Sequence, residues 1–210
     1  IQAAPGMMPI RWNMKTIGIT GGVGAGKSLV LNYLQNHYNA RVYLADDIAN
    51  DLKLPGQSCY DKIIELLGRN IIDSEGLIDK NKMAEKIFSH KELLDEVNRI
   101  IHPAVKEYVL SQIELERKKG EIDYFILEAA LLIEEGYDRI LDELWYIHAD
   151  TSVRSRRLKE TRNYTRDKID HIMASQLSET EFRKHCKVVI NNNSDEEALY
   201  SQIDHILEEK

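Results

Sequence analysis

Cysteine is scarce in this chain. Its 210 residues include only Cys59 and Cys186, far apart and without metal-ligand spacing around either. That excludes a disulfide framework and a cysteine-bound zinc site, so the expectation is a reduced, cytoplasmic protein with unpaired thiols. No apolar run approaches the roughly 18 residues a membrane-spanning helix needs, which excludes the usual transmembrane segment. Positive charge is also in deficit: 28 Lys and Arg stand against 35 Asp and Glu, for a formal charge of −7. General affinity for nucleic acid or an anionic membrane is not expected of such a balance, and any local basic cluster therefore stands out. Internal repeats and low-complexity tracts are missing as well.

What remains is an ordinary globular composition, 43% hydrophobic and 30% charged, enough for a sizeable core in one domain with inserted subdomains. The opening stretch IQAAPGMMPIRWN, residues 1–13, lacks the apolar core of a secretory signal and reads as a non-native extension or a misplaced start. Met14 then opens MKTIGIT, whose apolar residues read as a first strand.

Short, near-continuously apolar runs recur at TIGIT (16–20), ARVYL (40–44), DYFIL (123–127), LWYIH (144–148) and KVVI (187–190). Runs of that kind suit parallel strands covered on both faces, and the segments between them carry helical spacing, so an open α/β sheet is predicted. From Pro55 to about Gly120 only helical patterns appear, such as Leu93, Val97, Ile100, Ala104 and Tyr108, which predicts an all-helical insertion between the second and third strands. Within it, LPG (54–56), DSEG (73–76) and KKGE (118–121) mark turns. Pro103 in HPAV (102–105) is expected to start a new helix, leaving His102 at a bend, either buried or open to substrate.

The first strand runs into GGVGAGKS, residues 21–28, which matches GxxxxGK[ST] at every defined position. Glycines allow successive N–H groups to converge on phosphate oxygens, and the positive end of the helix that follows adds to the attraction. Lys27 supplies a point charge for the β and γ phosphates, and the Ser28 hydroxyl suits magnesium. A nucleoside triphosphate is therefore the expected ligand. A guanine-nucleotide switch is disfavoured, because DSEG falls in a helical region and NKMA (81–84) fails the base-reading pattern. YFILE (124–128) resembles the acid-ending strand of larger ATPases, but the length suits a small phosphotransferase.

Two features bear on the acceptor. LADD (44–47) lies at the end of the second strand, where Asp46 or Asp47 could take a proton from an attacking hydroxyl, with one of the two expected to cap the following helix. Between Arg154 and Lys168 lie Arg154, Arg156, Arg157, Lys159, Arg162, Arg166 and Lys168 against only Glu160 and Asp167. Such a run is either a solvated helix face or a set of arginines that close over phosphates.

Together, TGGVGAGKS (20–28), ADDIA (45–49) with PG (55–56), HP (102–103), EAALLIEEG (128–136), the arginine run, SQ (175–176) and INNN (190–193) resemble one family in order: dephospho-coenzyme A kinase. The resemblance implies a P-loop NTPase-type α/β fold with an open parallel five-stranded sheet, a core at 14–55 and 120–210, a helical acceptor-binding insertion at 56–119, and a small lid at about 152–172. It implies phosphorylation of the ribose 3′-hydroxyl of dephospho-coenzyme A by ATP with Mg2+, by a monomer or weak homo-oligomer. Asp46, Lys27 and Arg157 would be catalytic. Gly22, Val23, Gly24, Ala25, Gly26, Lys27, Ser28, Leu29, Arg162 and Asn192 would hold ATP, with Ser28 on magnesium and Asn192 near the adenine. Thr20, Asp46, His102, Leu131 and Leu132 would meet the acceptor, although Leu131 and Leu132 also fit plain core packing. A nucleoside or nucleotide monophosphate kinase, or a non-catalytic ATP-binding regulator, shares much of this pattern. The family often carries DAD where this chain has Leu44, Ala45 and Asp46.

Overall fold

The five apolar runs form one sheet: β1 (Lys15–Thr20), β2 (Ala40–Leu44), β3 (Tyr124–Glu128), β4 (Glu143–His148) and β5 (Val188–Asn191). The computed structural model describes residues 14–88 and 90–208; the expectation for residues 1–13 lies outside them. The strand order is β2-β3-β1-β4-β5 in an open parallel sheet. β1 runs parallel to both β3 and β4, with Ile17 opposite Ile126 and Gly18 opposite Leu144, and β4 runs parallel to β5. The central strands are buried almost throughout, which is why they read as apolar runs rather than alternating ones. Gly18 sits in the middle of β1 because Leu132, Leu141 and Leu144 crowd its Cα; a methyl there would come within 2.6 Å of the Leu144 Cδ2.

Two of the strands extend one residue further at the C-terminal end than apolarity alone suggests. Glu128 closes β3 opposite Ile19, and Asn191 closes β5 opposite His148. Polar residues at that edge meet the loops where parallel sheets gather ligands, so polarity there does not end a strand.

The chain divides into two compact units, one made of the residues up to Val42 and from Glu116 onward, the other of Tyr43–Leu115. The first holds α1 (Lys27–His37), which begins at the end of the phosphate loop. The second begins inside β2 and contains α2 (Ala45–Asp51), α3 (Tyr60–Leu67), α4 (Lys80–Phe88) and most of α5 (Lys91–Lys119). Back in the first unit, β4 is followed by α6 (Thr151–Arg162), α7 (Arg166–Ala174) and α8 (Glu179–His185), and β5 by α9 (Glu196–Glu208). In that unit α9 packs on α1, where the Asp204 carboxylate accepts hydrogen bonds from Tyr33 Oη at 2.9 Å and Tyr38 Oη at 2.6 Å.

Past the end of β2, the described residues of the second unit form helices and turns apart from one antiparallel bridge, Ile72 to Ile78. That bridge closes the DSEG turn, in which Asp73 Oδ1 accepts from the backbone N–H groups of Glu75 and Leu77, both at 2.9 Å. Ile48, Cys59, Ile63, Leu67, Ile71 and Met83 are buried in it. One expectation fails here. Pro103 does not start a helix and His102 does not sit at a bend, because α5 runs through both without interruption. Val97, Ile101, Val105, Val109 and Ile113 are buried at intervals of four residues, so burial of this stripe holds the helix together across the proline. Pro103 itself is exposed, and so is Arg99, whose carbonyl loses its helical donor and can turn to water. Among the described residues no helix is long and apolar enough to cross a membrane.

Candidate active site

The loop after β1 turns into α1 through Gly26, which lies in the left-handed region at φ 90°, ψ 29° and forms the N-cap without a side-chain hydrogen bond. No acidic residue occupies the first turn of α1, so the positive end of the helix is left for an external anion. Lys27 opens the helix. Its Nζ donates to the Gly21 carbonyl at 2.9 Å and pairs with Glu128 Oε1 at 3.7 Å. Burial pushes the Lys27 pKa below the ordinary lysine value, with Glu128 opposing that shift and Arg154 and Arg162 adding to it. Ser28 is exposed and Leu29 half-buried on the same turn.

The loop is held by residues that arrive from two other segments, α6 and the stretch just past β5. Arg154, in the first turn of α6, donates through Nε to the Val23 carbonyl at 2.9 Å and through Nη2 to Gln176 Oε1 at 2.5 Å. Its guanidinium lies directly over Gly22, so any side chain at that position would collide with it. One turn later Arg157 donates through Nη2 to the Asn192 carbonyl at 2.9 Å and reaches the carbonyls of Gly24 and Ala25 at 3.4 Å. Asn192, wholly buried just past β5, donates through Nδ2 to the Ala25 carbonyl at 2.8 Å, while its backbone N–H bonds the His148 carbonyl at 2.7 Å. Gly24 packs on the backbone of Arg154 and on Leu158, and Gly26 on the Asn192 amide.

These tied carbonyls set the loop's chemistry. Across a trans peptide, C=O and N–H point in opposite directions. With the carbonyls of Val23 and Ala25 bonded to Arg154 and Asn192, the N–H groups of Gly24 and Gly26 point away from those side chains and are left for another acceptor, as a backbone anion site needs.

Lys27, the loop residues 22–28, Arg157 and Asn192 thus come together in one unit. Arg162 ends α6 in the same unit; it is exposed, and its guanidinium stands 5.9 Å above the Tyr164 ring. Thr20 is fully buried at the end of β1, its hydroxyl without a hydrogen-bond partner. Leu132 is also fully buried, packed beneath Gly18 in the core, so of the pair only Leu131 presents an exposed apolar side chain. Asp46 and His102 belong to the other unit. There, Asp46 and Asp47 both lie exposed in the first turn of α2, and the expectation that one of them caps the helix is corrected: Leu44 is the N-cap and no side chain caps it. The helix starts at Ala45, earlier than the apolar pattern indicated, which moves both carboxylates inside it.

Three residues escaped the sequence reading as site members. Glu128 was visible only as the acid that ends YFILE; Arg154 was one of seven cations in the run, and its spacing of three from Arg157, which puts both on one helix face, was the signal available. Gln176 had no signal beyond the SQ pair.

Comparison with known proteins agrees with this geometry. The family model described as Dephospho-CoA kinase matches residues 15–197. A dephospho-CoA kinase of Fusobacterium nucleatum is 37% identical over 192 residues, covering 91% of this chain and 96% of the relative. The Carboxydothermus hydrogenoformans dephospho-CoA kinase is 33% identical, with 91% and 92% of the two chains covered. Among solved structures, dephospho-CoA kinase from Campylobacter jejuni superposes with a TM-score of 0.69 at 20% identity, over 92% of this chain and 96% of that one. Shikimate kinase from Acinetobacter baumannii, at TM-score 0.55 and 13% identity over 96% and 99% of the two chains, shares the fold. The family match over nearly the whole described chain, together with relatives identical at a third or more of their positions, leads to one conclusion: this chain belongs to the dephospho-CoA kinase family.

Proposed function

We propose that the chain transfers the γ-phosphoryl group of ATP to the ribose 3′-hydroxyl of dephospho-coenzyme A, giving coenzyme A and ADP. The observation that carries this reading is the phosphate loop with its carbonyls tied outward and Lys27 at its mouth, in a chain that shares its family with dephospho-CoA kinases along most of its length. The loop N–H groups bind the β and γ phosphates, and Lys27 stabilises the charge that spreads over the transferring group. Arg157 holds the loop and adds positive charge on the same side. Arg162 and Leu29 complete the ATP side, and Asn192 serves the adenine end through the loop it braces.

Asp46 is the proposed base. The hydroxyl oxygen forms the new bond to phosphorus, the bond from phosphorus to the β-bridging oxygen breaks, and the hydroxyl proton passes to the carboxylate. Thr20, His102 and Leu131 are proposed for the acceptor side, Thr20 and Leu132 acting from beneath as packing. Magnesium, when bound, neutralises charge on the β and γ phosphate oxygens. The exposed Ser28 hydroxyl, a hard oxygen donor beside an acid-free helix start, fits the ion and would hold it. Among the described residues no cluster of acidic, His or Cys side chains forms a separate metal site, and an ion that arrives with the triphosphate needs none.

The test is turnover. Purified protein with MgATP and a panel of acceptors should release ADP with dephospho-coenzyme A. Turnover with AMP, CMP or uridine and none with dephospho-coenzyme A would overturn the reading in favour of a nucleotide or nucleoside kinase.

A further inference from the structure

We propose that Arg154 is a positioning residue for nucleotide binding, and that it works as a pair with Gln176. The pair fastens the α6–α7 segment to the first half of the phosphate loop and so aims the Gly24 N–H at the phosphate. The proposal deepens the ATP-binding role of the loop and rests on that role.

The geometry is specific to a guanidinium. One side chain joins two separate stretches of chain: Nε bonds the Val23 carbonyl and the guanidinium covers the adjacent Gly22, while Nη2 bonds the Gln176 amide oxygen. Gln176 follows directly after α7, beyond the Ser175 C-cap. Arg154 itself is anchored in α6 by its backbone N–H on the Asp150 carbonyl, 2.9 Å away. A planar fork with fixed donor angles can satisfy two acceptors at once while stacking on a glycine, and a lysine ammonium cannot. The bond to the Val23 carbonyl fixes the orientation of the Val23–Gly24 peptide, hence the direction of the Gly24 N–H. A side chain at Gly22 would push the guanidinium away from the loop, which gives the second glycine of GGVGAGKS a packing reason distinct from phosphate contact.

Arg154 differs in this from Arg157. The latter is tied to the second half of the loop and to Asn192, so the two arginines, three residues apart on α6, divide the loop between them. A residue that orients loop N–H groups acts on nucleotide in the ground state and the transition state alike. Its loss should therefore raise KM for ATP and leave kcat little changed.

The experiment is steady-state kinetics with both substrates varied, together with direct MgATP binding by calorimetry, on wild type, Arg154→Ala, Arg154→Lys, Gln176→Ala and the Arg154→Ala/Gln176→Ala double variant. Losing a charge-assisted hydrogen bond predicts about a 10-fold rise in both KM and Kd for ATP in Arg154→Ala, with kcat within about 3-fold and KM for dephospho-coenzyme A within about 2-fold. Arg154→Lys should not rescue. Gln176→Ala should raise KM for ATP by about 3- to 5-fold in wild type and have no further effect on the Arg154→Ala background.

A fall in kcat with KM unchanged would overturn the proposal, since it would make Arg154 a transition-state contact. So would rescue by lysine, which would reduce its role to charge, or an equal rise in KM for both substrates, which would mean general loosening. Should Arg154→Ala fail to fold, Gln176→Ala at its half-exposed position decides alone: a KM for ATP indistinguishable from wild type overturns the pair. The calorimetric arm reads MgATP binding without any acceptor, so it stands even if dephospho-coenzyme A proves not to be the substrate.

Discussion

Replacing Gly26 with alanine tests the packing of the phosphate loop most directly, because two separate penalties can be worked from its surroundings. The first is conformational: at φ 90° the residue lies where an L side chain is strained by about 1–2 kcal/mol. The second is steric. A methyl at Gly26 collides with Asn192 Nδ2, which must move and give up its 2.8 Å bond to the Ala25 carbonyl. A buried hydrogen bond of this kind contributes about 1–1.5 kcal/mol, and Arg157 at 3.4 Å compensates the abandoned carbonyl only weakly. Gly26→Ala should therefore cost about 2–3.5 kcal/mol, which at a urea m-value near 2 kcal/mol/M lowers the unfolding midpoint by about 1–1.7 M.

The two penalties separate in a cycle with Asn192→Ala. That variant alone loses the hydrogen bond, about 1–1.5 kcal/mol, but it also clears the space the new methyl needs. On its background Gly26→Ala should cost only the strain, so the double variant should be more stable than the sum of the singles by about 1–1.5 kcal/mol. Urea unfolding followed by circular dichroism measures all four proteins. Additivity within about 0.3 kcal/mol would refute the steric contact, and a neutral Gly26→Ala would refute the loop conformation as well.

Three further outcomes are expected. Lys27→Ala should lower kcat/KM for ATP by about 10²-fold or more through loss of phosphate stabilisation, and unchanged turnover in a coupled ADP assay would contradict the loop assignment. Asp46→Asn should lower kcat by about 10²-fold with modest change in ATP affinity; if Asp47→Asn does this instead, the base is Asp47. Burial pushes the Cys186 thiol from about 9 up to about 12, so the folded state keeps its proton where the unfolded chain releases it. The stability this represents is present below pH 9 and is lost as pH rises from about 9 toward 12. Urea midpoints between pH 8 and 10 should fall less in Cys186→Ala than in wild type, and both thiols, buried in the fold, should react with a disulfide reagent at pH 8 only on unfolding.

Most of the fold was legible because a parallel sheet buried on both faces writes itself as apolar runs, and β2 was read to the residue. The departures cluster where burial and chemistry conflict. Glu128 and Asn191 were left out of their strands because polarity marks a strand's end in a sequence, whereas at the carboxyl edge of this sheet polarity marks the neighbourhood of the site. Pro103 was given the power to break α5 because local rules charge about 3 kcal/mol for it, yet five buried apolar residues on one stripe outweigh that cost. Leu44 rather than an aspartate begins α2 for a related reason: the chain enters the helix straight from the strand, leaving no turn in which a short acidic side chain could fold back. The loop motif was readable from spacing alone. Its supports were not, since a side chain that binds a backbone carbonyl more than a hundred residues away leaves no periodic trace.

The arginine run posed a choice between a solvated helix face and a phosphate clamp, and α6 shows one solvated face and a second face that turns Arg154 and Arg157 onto carbonyls of the loop. Its geometry puts positions 154, 157 and 158 on one side; Leu158 is buried there, and Arg154 and Arg157 are half-buried on the loop carbonyls. Arg156, Lys159 and Arg162 stay exposed. The inward pair bonds loop carbonyls, which leaves the N–H groups of the same peptides pointing away from it; on the role proposed for Arg154, a cation that need not touch a phosphate would still tune how well the loop binds one. The exposed cations meet a different requirement. A chain of net charge −7 repels a polyanionic nucleotide at long range, but beyond about 8 Å that repulsion is screened at physiological salt, and inside that distance the local excess of arginine and lysine sets the sign of the field. An acidic protein can therefore bind a triphosphate tightly provided its cations are concentrated on the one helix that also shapes the loop.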